Sequence, residues 1–186
     1  MPPFEKIVKT LMKSAEDKGA INVKPILTRD VVVEDYVRQK CQYGCKKYAK
    51  TFCCPPYSPT PDETRKTLKS YSRALLIEFG LTGGEEEQRK VHEASFELER
   101  EAFLSGLYNA MVYVSGPCRF CAVCPAETLE NRNQFSKKDC KNPLKARPSM
   151  EGAGIEVYKT VRRAGLKVDV VKGGEPYKSF VLLLLK

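Results

Sequence analysis

The chain has 186 residues, 32 Lys and Arg against 23 Asp and Glu, a formal charge of +9 and eight cysteines. A chain of this length buries about 70% of the surface its unfolded form exposes, so it needs no disulfide staples to fold and its cysteines need a chemical reason. The longest apolar run, Phe180 to Leu185, is too short to cross a bilayer, and no basic segment followed by an apolar one opens the sequence. The expectation is one domain over residues 1–186, cytoplasmic, with no signal peptide and no membrane partner. In that compartment thiols stay reduced, and clustered cysteines read as metal ligands.

Phe4, Ile7, Val8, Leu11, Met12 and Ala15 fall on one helical stripe, and Gly19 stops it. Residues 20–33 read as extended, with Ile26-Leu27 and Val31–Val33 as short strands. Glu34 to Lys40 fits either a strand or a turn of helix. Cys41, Cys45, Cys53 and Cys54 then precede Pro55, Pro56, Pro59 and Pro61, which predicts a stiff loop over about 41–61. Thr60-Pro61-Asp62-Glu63 is a capping-box start for a helix running to about Ser70.

Ala74 to Phe79 is a largely apolar strand of the kind buried on both faces. Gly83-Gly84 opens a long helix from about Glu85 to Tyr108, with three glutamates at the positive end of its dipole. Met111 to Ser115 is the next strand, and it leads into a second cysteine loop over about 116–148. Ser149 is expected to cap a helix ending near Ala164-Gly165. Leu166–Val171 and Phe180–Leu185, joined by a short Gly-Gly turn, are expected to pair as an antiparallel hairpin. The order implies an α/β (or α+β) fold, a mixed sheet with helices packed on it and two cysteine-rich loops.

The second loop carries the strongest chemical signal. Gly116-Pro117-Cys118-Arg119-Phe120-Cys121-Ala122-Val123-Cys124-Pro125 places three cysteines at Cys-x2-Cys-x2-Cys spacing, and Cys140 follows in a polar turn. This spacing wraps three corners of a cubane iron–sulfur cluster, with a fourth thiolate from farther along. Structural zinc sites usually take two ligands from each of two knuckles, so zinc is the alternative. The first set, Cys41, Cys45, Cys53 and Cys54, is less familiar. Two adjacent cysteines ligate one centre only if the chain turns sharply between them. Otherwise one of the pair is a small buried hydrophobe, the two sets share ligands, or one thiol stays free. Cys41-x3-Cys45 also starts a radical S-adenosylmethionine motif, but Tyr48 stands where that motif needs its third cysteine.

His92, the only histidine, lies among charged residues in the long helix and reads as exposed. No Ser/His/Asp or Cys/His catalytic arrangement is evident. Gly83, Gly84, Gly152 and Gly154 fit no dinucleotide or P-loop pattern and read as turn and close-packing glycines. Two metal centres would each leave a net charge of roughly −2 and bring the total to about +5. That charge suits an acidic partner. No basic run is interleaved with aromatics, so a nucleic-acid partner is not expected. Arg119, Arg147, Lys137 and Lys138 are expected around the second cluster, tuning its potential, guiding an acidic partner or offsetting its charge.

Cys-Gln-Tyr-Gly-Cys, Phe-Cys-Cys-Pro-Pro-Tyr-Ser-Pro-Thr-Pro, Gly-Pro-Cys-Arg-Phe-Cys-Ala-Val-Cys-Pro and Ala-Arg-Pro-Ser-Met-Glu-Gly-Ala-Gly-Ile-Glu-Val resemble a family of small cysteine-rich "predicted metal-binding" proteins of methanogenic archaea and anaerobic bacteria. The likeness runs from about residue 20 to the end. It implies metal binding, through two iron–sulfur clusters, in an anaerobe, and it implies no reaction.

The sequence therefore leads to a protein with two [4Fe–4S] clusters on Cys41, Cys45, Cys53, Cys54, Cys118, Cys121, Cys124 and Cys140. Electron transfer with a redox partner protein is the leading role. The alternatives are an enzyme whose cluster keeps an open iron as Lewis acid, and a zinc-stapled module that binds nucleic acid or an acidic protein.

Overall fold

The computed structural model describes residues 2–128 and 137–186, so part of the second cysteine loop lies outside the described residues. Helix α1 spans Phe4–Asp17 and buries Ile7, Val8, Leu11 and Ala15, the expected stripe. Gly19, at φ 92°, turns the chain out of it. Strand β1, Asn22–Leu27, follows. Val31–Val33 does not continue as a strand. A short 3-10 turn over Thr28–Asp30 redirects the chain, and Val33 makes only a single bridge to Ile155.

The ambiguous segment resolves as helix α2, Asp35–Gly44, so Cys41 sits in the last helical turn and not in a loop. Helix α3, Pro61–Lys69, begins with the predicted capping box: the Thr60 side chain accepts from the Glu63 N–H, and the Glu63 carboxylate accepts from Thr60 N–H at 2.7 Å. Strand β2 is Arg73–Leu81, helix α4 is Glu85–Leu104, and strand β3 is Met111–Tyr113. Helix α5 is shorter than expected, Val157–Arg163, with Glu156 as its cap. Ser149 instead caps a turn that precedes it, accepting from Gly152 N–H at 3.0 Å. Strand β4, Tyr177–Leu184, closes the chain.

The four strands form one sheet in the order β1-β2-β4-β3. Every strand pair is antiparallel, which corrects the expected mixed sheet. The physical reason is the place β4 takes. β2 and β3, joined through α4, run parallel to each other, but β4 is inserted between them and pairs with both, a split β-α-β arrangement. One isolated parallel bridge joins Val114 to Ser149. Both edges of β4 are therefore occupied, and residues 166–171 carry no strand, so the expected hairpin has no edge on which to form.

Both faces of the sheet are covered, which explains the unbroken apolar runs of β2 and β4. On one face Leu75, Ile77, Phe79, Val181 and Leu183 pack with Leu11, Leu98 and Ala102 from α1 and α4. On the other, Leu76, Phe180, Leu182 and Leu184 pack with Leu68, Val161 and the turn residues Met150, Ala153 and Ile155. β1 is an edge strand, and Pro25 is tolerated there. Among the described residues, no helix is long and apolar enough to cross a membrane.

Candidate metal centre

The end of β3 is where the chain turns from sheet to chemistry. Val114 bridges to Ser149, whose N–H bonds the Cys53 carbonyl at 3.0 Å. Three segments thus meet: the proline-rich loop after α2, the second cysteine loop, and the Ser149–Gly154 turn. Arg38 on α2 ties two of them together. Its guanidinium donates to the carbonyls of Pro59 at 2.8 Å, Gly152 at 2.7 Å, and Ser58 and Pro56 at 3.2 Å. Burial lowers its pKa from the usual value. The buried Ser58 hydroxyl also donates to the Gly152 carbonyl, at 2.9 Å.

The two glycines of this turn are close-packing glycines, as expected. A Cβ on Gly152 would lie 2.5 Å from Ser149 Oγ, and one on Gly154, which has φ +82°, would lie 2.8 Å from Pro61 Cγ. Sequence reasoning missed Arg38. A long cation one turn into an amphipathic helix, three residues before Cys41, is indistinguishable from a solvated one until the loop folds back on it.

The eight thiols all lie here, but they divide differently from their order in the sequence. Cys53, Cys118, Cys121, Cys124 and Cys140 line one small cavity of about 10 Å³, with Phe52, Phe120 and Asn142. Cys41, Cys45 and Cys54 form the other group. The expected partition by sequence, 41/45/53/54 and 118/121/124/140, is thus five and three. The division falls between neighbours: Cys53 and Cys54 lie in a tight turn, with Cys54 N–H bonded to the Thr51 carbonyl at 3.1 Å, and a turn lets adjacent side chains serve different groups.

The sulfurs of the larger group are well supplied with donors. Asn142 Nδ2 donates to Cys121 Sγ at 3.2 Å, and the Asn142 backbone N–H bonds Cys140. The Cys53 thiol bonds Cys118, which also receives His92 and the Phe120 N–H. Contact with Cys53, together with His92 and Phe120, holds the Cys118 thiol well below its ordinary range despite burial. The same contact and burial push Cys53 up.

His92 is therefore not an exposed helix residue. It is 3% exposed, its Nε2 lies 3.1 Å from the Ser115 carbonyl oxygen, and its ring meets Phe120 edge-on at 6.1 Å. The charged residues around it in sequence occupy the outer face of α4, and His92 lies on the inner face with Val91 and Ser95.

In the smaller group, burial pushes the Cys41 and Cys54 thiols up to about 11. The charge of Glu151 adds to that rise at both, and the Ser149 hydroxyl bonded to Cys54 opposes it there. Glu151 is a second residue that sequence reasoning missed. Its carboxylate accepts from Ser115 Oγ at 2.9 Å and from Gly116 N–H at 3.2 Å, which fixes both oxygens. Cys41, Cys45, Glu151 and Ser115 share the wall of a cavity of about 940 Å³. Its other walls include Tyr36, Tyr43, Val157, Tyr158 and Phe180. This is within the size range of small-molecule sites.

The expected basic halo is not free charge. Arg119 donates to Glu85 at 2.5 Å and Gln88 at 2.8 Å, and Arg147 pairs with Glu99 at 2.5 Å and stacks over Phe96. Both clamp the second loop to α4. The Lys137 side chain lies outside the described residues, and Lys138 is exposed.

Among the described residues, no three His, Cys, Asp or Glu side chains already converge on one point as a bare metal ion requires. The donor chemistry nevertheless fits a thiophilic metal or cluster: each group offers at least three thiols, with N–H or O–H donors aimed at the sulfurs. Thiols gathered from the end of α2 and from two loops beside an antiparallel sheet point to a metal-binding class of protein. The chain belongs to the family described as "Predicted metal-binding protein (DUF2284)", whose model matches residues 24–185. No curated protein and no solved structure matches the chain.

Proposed function

We propose that the protein is a redox protein holding two iron–sulfur clusters, one on the five-thiol group and one on the three-thiol group. One observation carries the reading: Cys53 and Cys54, adjacent in the chain, belong to different groups. Consecutive Cα atoms are about 3.8 Å apart, so the two centres are joined by a single peptide unit. When bound, the clusters supply one-electron chemistry. The chain supplies the thiolates, the N–H and O–H donors that stabilise them, and a buried setting for Cys53 and Cys54.

The Cys-x2-Cys-x2-Cys spacing supports iron–sulfur ligation of the larger group over zinc. Electrons would pass to or from an acidic redox partner, drawn by the chain's net positive charge.

A second reading has its own support. Two thiols of the smaller group, Cys41 and Cys45, line the cavity of about 940 Å³. A cluster with one corner free of thiolate, facing such a cavity, is the arrangement a Lewis-acid enzyme needs. Metal and acid-labile sulfide per chain, measured on protein purified without oxygen, test both readings together. About eight iron and eight sulfide are expected. Zinc without sulfide would overturn both and leave a zinc-stapled binding module.

A further inference from the structure

The three-thiol group lacks a fourth sulfur. The chain has eight cysteines and one histidine. Five cysteines line the other cavity, and His92 serves the same side through Cys118. If a cubane is held by Cys41, Cys45 and Cys54, its fourth corner must take a different donor or an outside ligand. Glu151 stands beside this group. It shares a cavity wall with Cys41 and Cys45, and it follows Ser149, whose hydroxyl bonds Cys54.

Glu151 is also held in a way that a solvated glutamate is not. Ser115 Oγ takes one carboxylate oxygen and Gly116 N–H the other. Each oxygen keeps a further lone pair, and the pair of bonds fixes the plane of the carboxylate. Ser115 and Gly116 open the second cysteine loop, so the same carboxylate ties that loop to the first group of thiols. The arrangement is that of a ligating carboxylate oriented by outer hydrogen bonds.

We infer that Glu151 is the fourth donor of the centre held by Cys41, Cys45 and Cys54, so that this centre has three sulfur corners and one oxygen corner facing the cavity. The inference rests on the proposed reading of two clusters and adds a named residue to it. Oxygen is the harder donor and suits iron less well than thiolate does. The corner next to the cavity is therefore the most weakly held of the four. The other centre, with five thiols around it, has no such corner.

The test uses full-length protein purified without oxygen, with iron and sulfide counted per chain and electron paramagnetic resonance spectra recorded in oxidised and reduced states. Three chains are compared: the natural one, Glu151→Gln and Glu151→Cys. The natural chain is expected to hold about eight irons. Glu151→Gln is expected to lose about one iron per chain and to show the signal of a three-iron cluster when oxidised. Glu151→Cys is expected to return to about eight irons and to lose the three-iron signal.

The cysteine variant separates a donor from a structural residue, because one thiol cannot accept both the Ser115 and Gly116 bonds. Iron lost in both variants would make Glu151 a structural tie and overturn the inference. Full iron and an unchanged spectrum in Glu151→Gln would overturn it too, and in either case the two-cluster reading stands. A natural chain without iron would fail that reading first, and the inference with it.

Discussion

The two thiol groups differ most in what surrounds their sulfurs. The larger group is the more enclosed: five thiols, two aromatic rings and Asn142 around about 10 Å³, with amide and imidazole donors aimed at the sulfurs. The smaller is the more open: Cys41, Cys45 and Glu151 stand on the wall of a cavity of about 940 Å³, and Cys54 is buried with the Ser149 hydroxyl bonded to it. A closed set of sulfurs favours a centre that exchanges only electrons. An open set with an oxygen corner admits a ligand. The comparison shows that cysteine spacing reports how a loop can wrap a centre, and the partners from elsewhere decide what the centre can do.

The largest effect that would sharpen the comparison comes from the closed group. Cys118→Ser removes the thiol that contacts both Cys53 and His92. It also breaks the Cys-x2-Cys-x2-Cys loop that wraps three corners of one centre, which Cys53 on another segment does not replace, so about half of the bound iron is expected to go, read by iron analysis, while the visible absorption of the remaining centre persists. Loss of all iron would mean that the two groups do not load independently.

Next comes the brace. Arg38→Ala leaves the carbonyls of Pro59 and Gly152 without their donor. The expected cost is about 3 kcal/mol, and a chain of this size then melts about 6–12 °C lower. Calorimetry on the metal-free protein checks it. Because α2 carries Cys41 and Arg38 anchors α2, iron at the open group should fall further than iron at the closed one.

Smaller effects follow. Gly154→Ala forces a side chain into a left-handed position against Pro61. A loss of about 2 kcal/mol is expected in denaturant titration. The smallest is Thr60→Ala, which removes one half of the capping box of α3. It should cost about 1 kcal/mol and leave iron content unchanged, since α3 carries no ligand. If Thr60→Ala lowered iron content as far as Arg38→Ala, iron loss would report general unfolding and not the brace.

Much of the fold was legible. The α1 stripe, the Thr60 capping box, the buried β2 run and the long α4 each follow from local rules, and local rules suffice where one element carries its own signal. The sheet order was not legible, because nothing local says that β4 inserts between β2 and β3. The hairpin was misread for the same reason: Leu166–Val171 has strand composition, but the edge it would need is occupied.

At the site, all eight cysteines were visible, and the spacing of 118, 121 and 124 pointed to one centre. Cys53 and Cys54 were not separable in sequence, since two adjacent cysteines carry no mark of which side each faces. His92, Arg38 and Glu151 were hidden by ordinary composition: each is a polar residue of a helix or turn, and its role exists only once a distant segment folds back on it, the second cysteine loop for His92 and Glu151 and the proline-rich loop for Arg38.

The account turns on the division between Cys53 and Cys54, and iron analysis of Cys53→Ser beside Cys54→Ser tests it most directly. Cys54→Ser removes one of only three thiols and should lose about one to four irons per chain, whereas Cys53→Ser, which leaves four thiols in its group, should keep about eight. Equal losses from the two variants would return both cysteines to one centre and contradict the five-and-three arrangement.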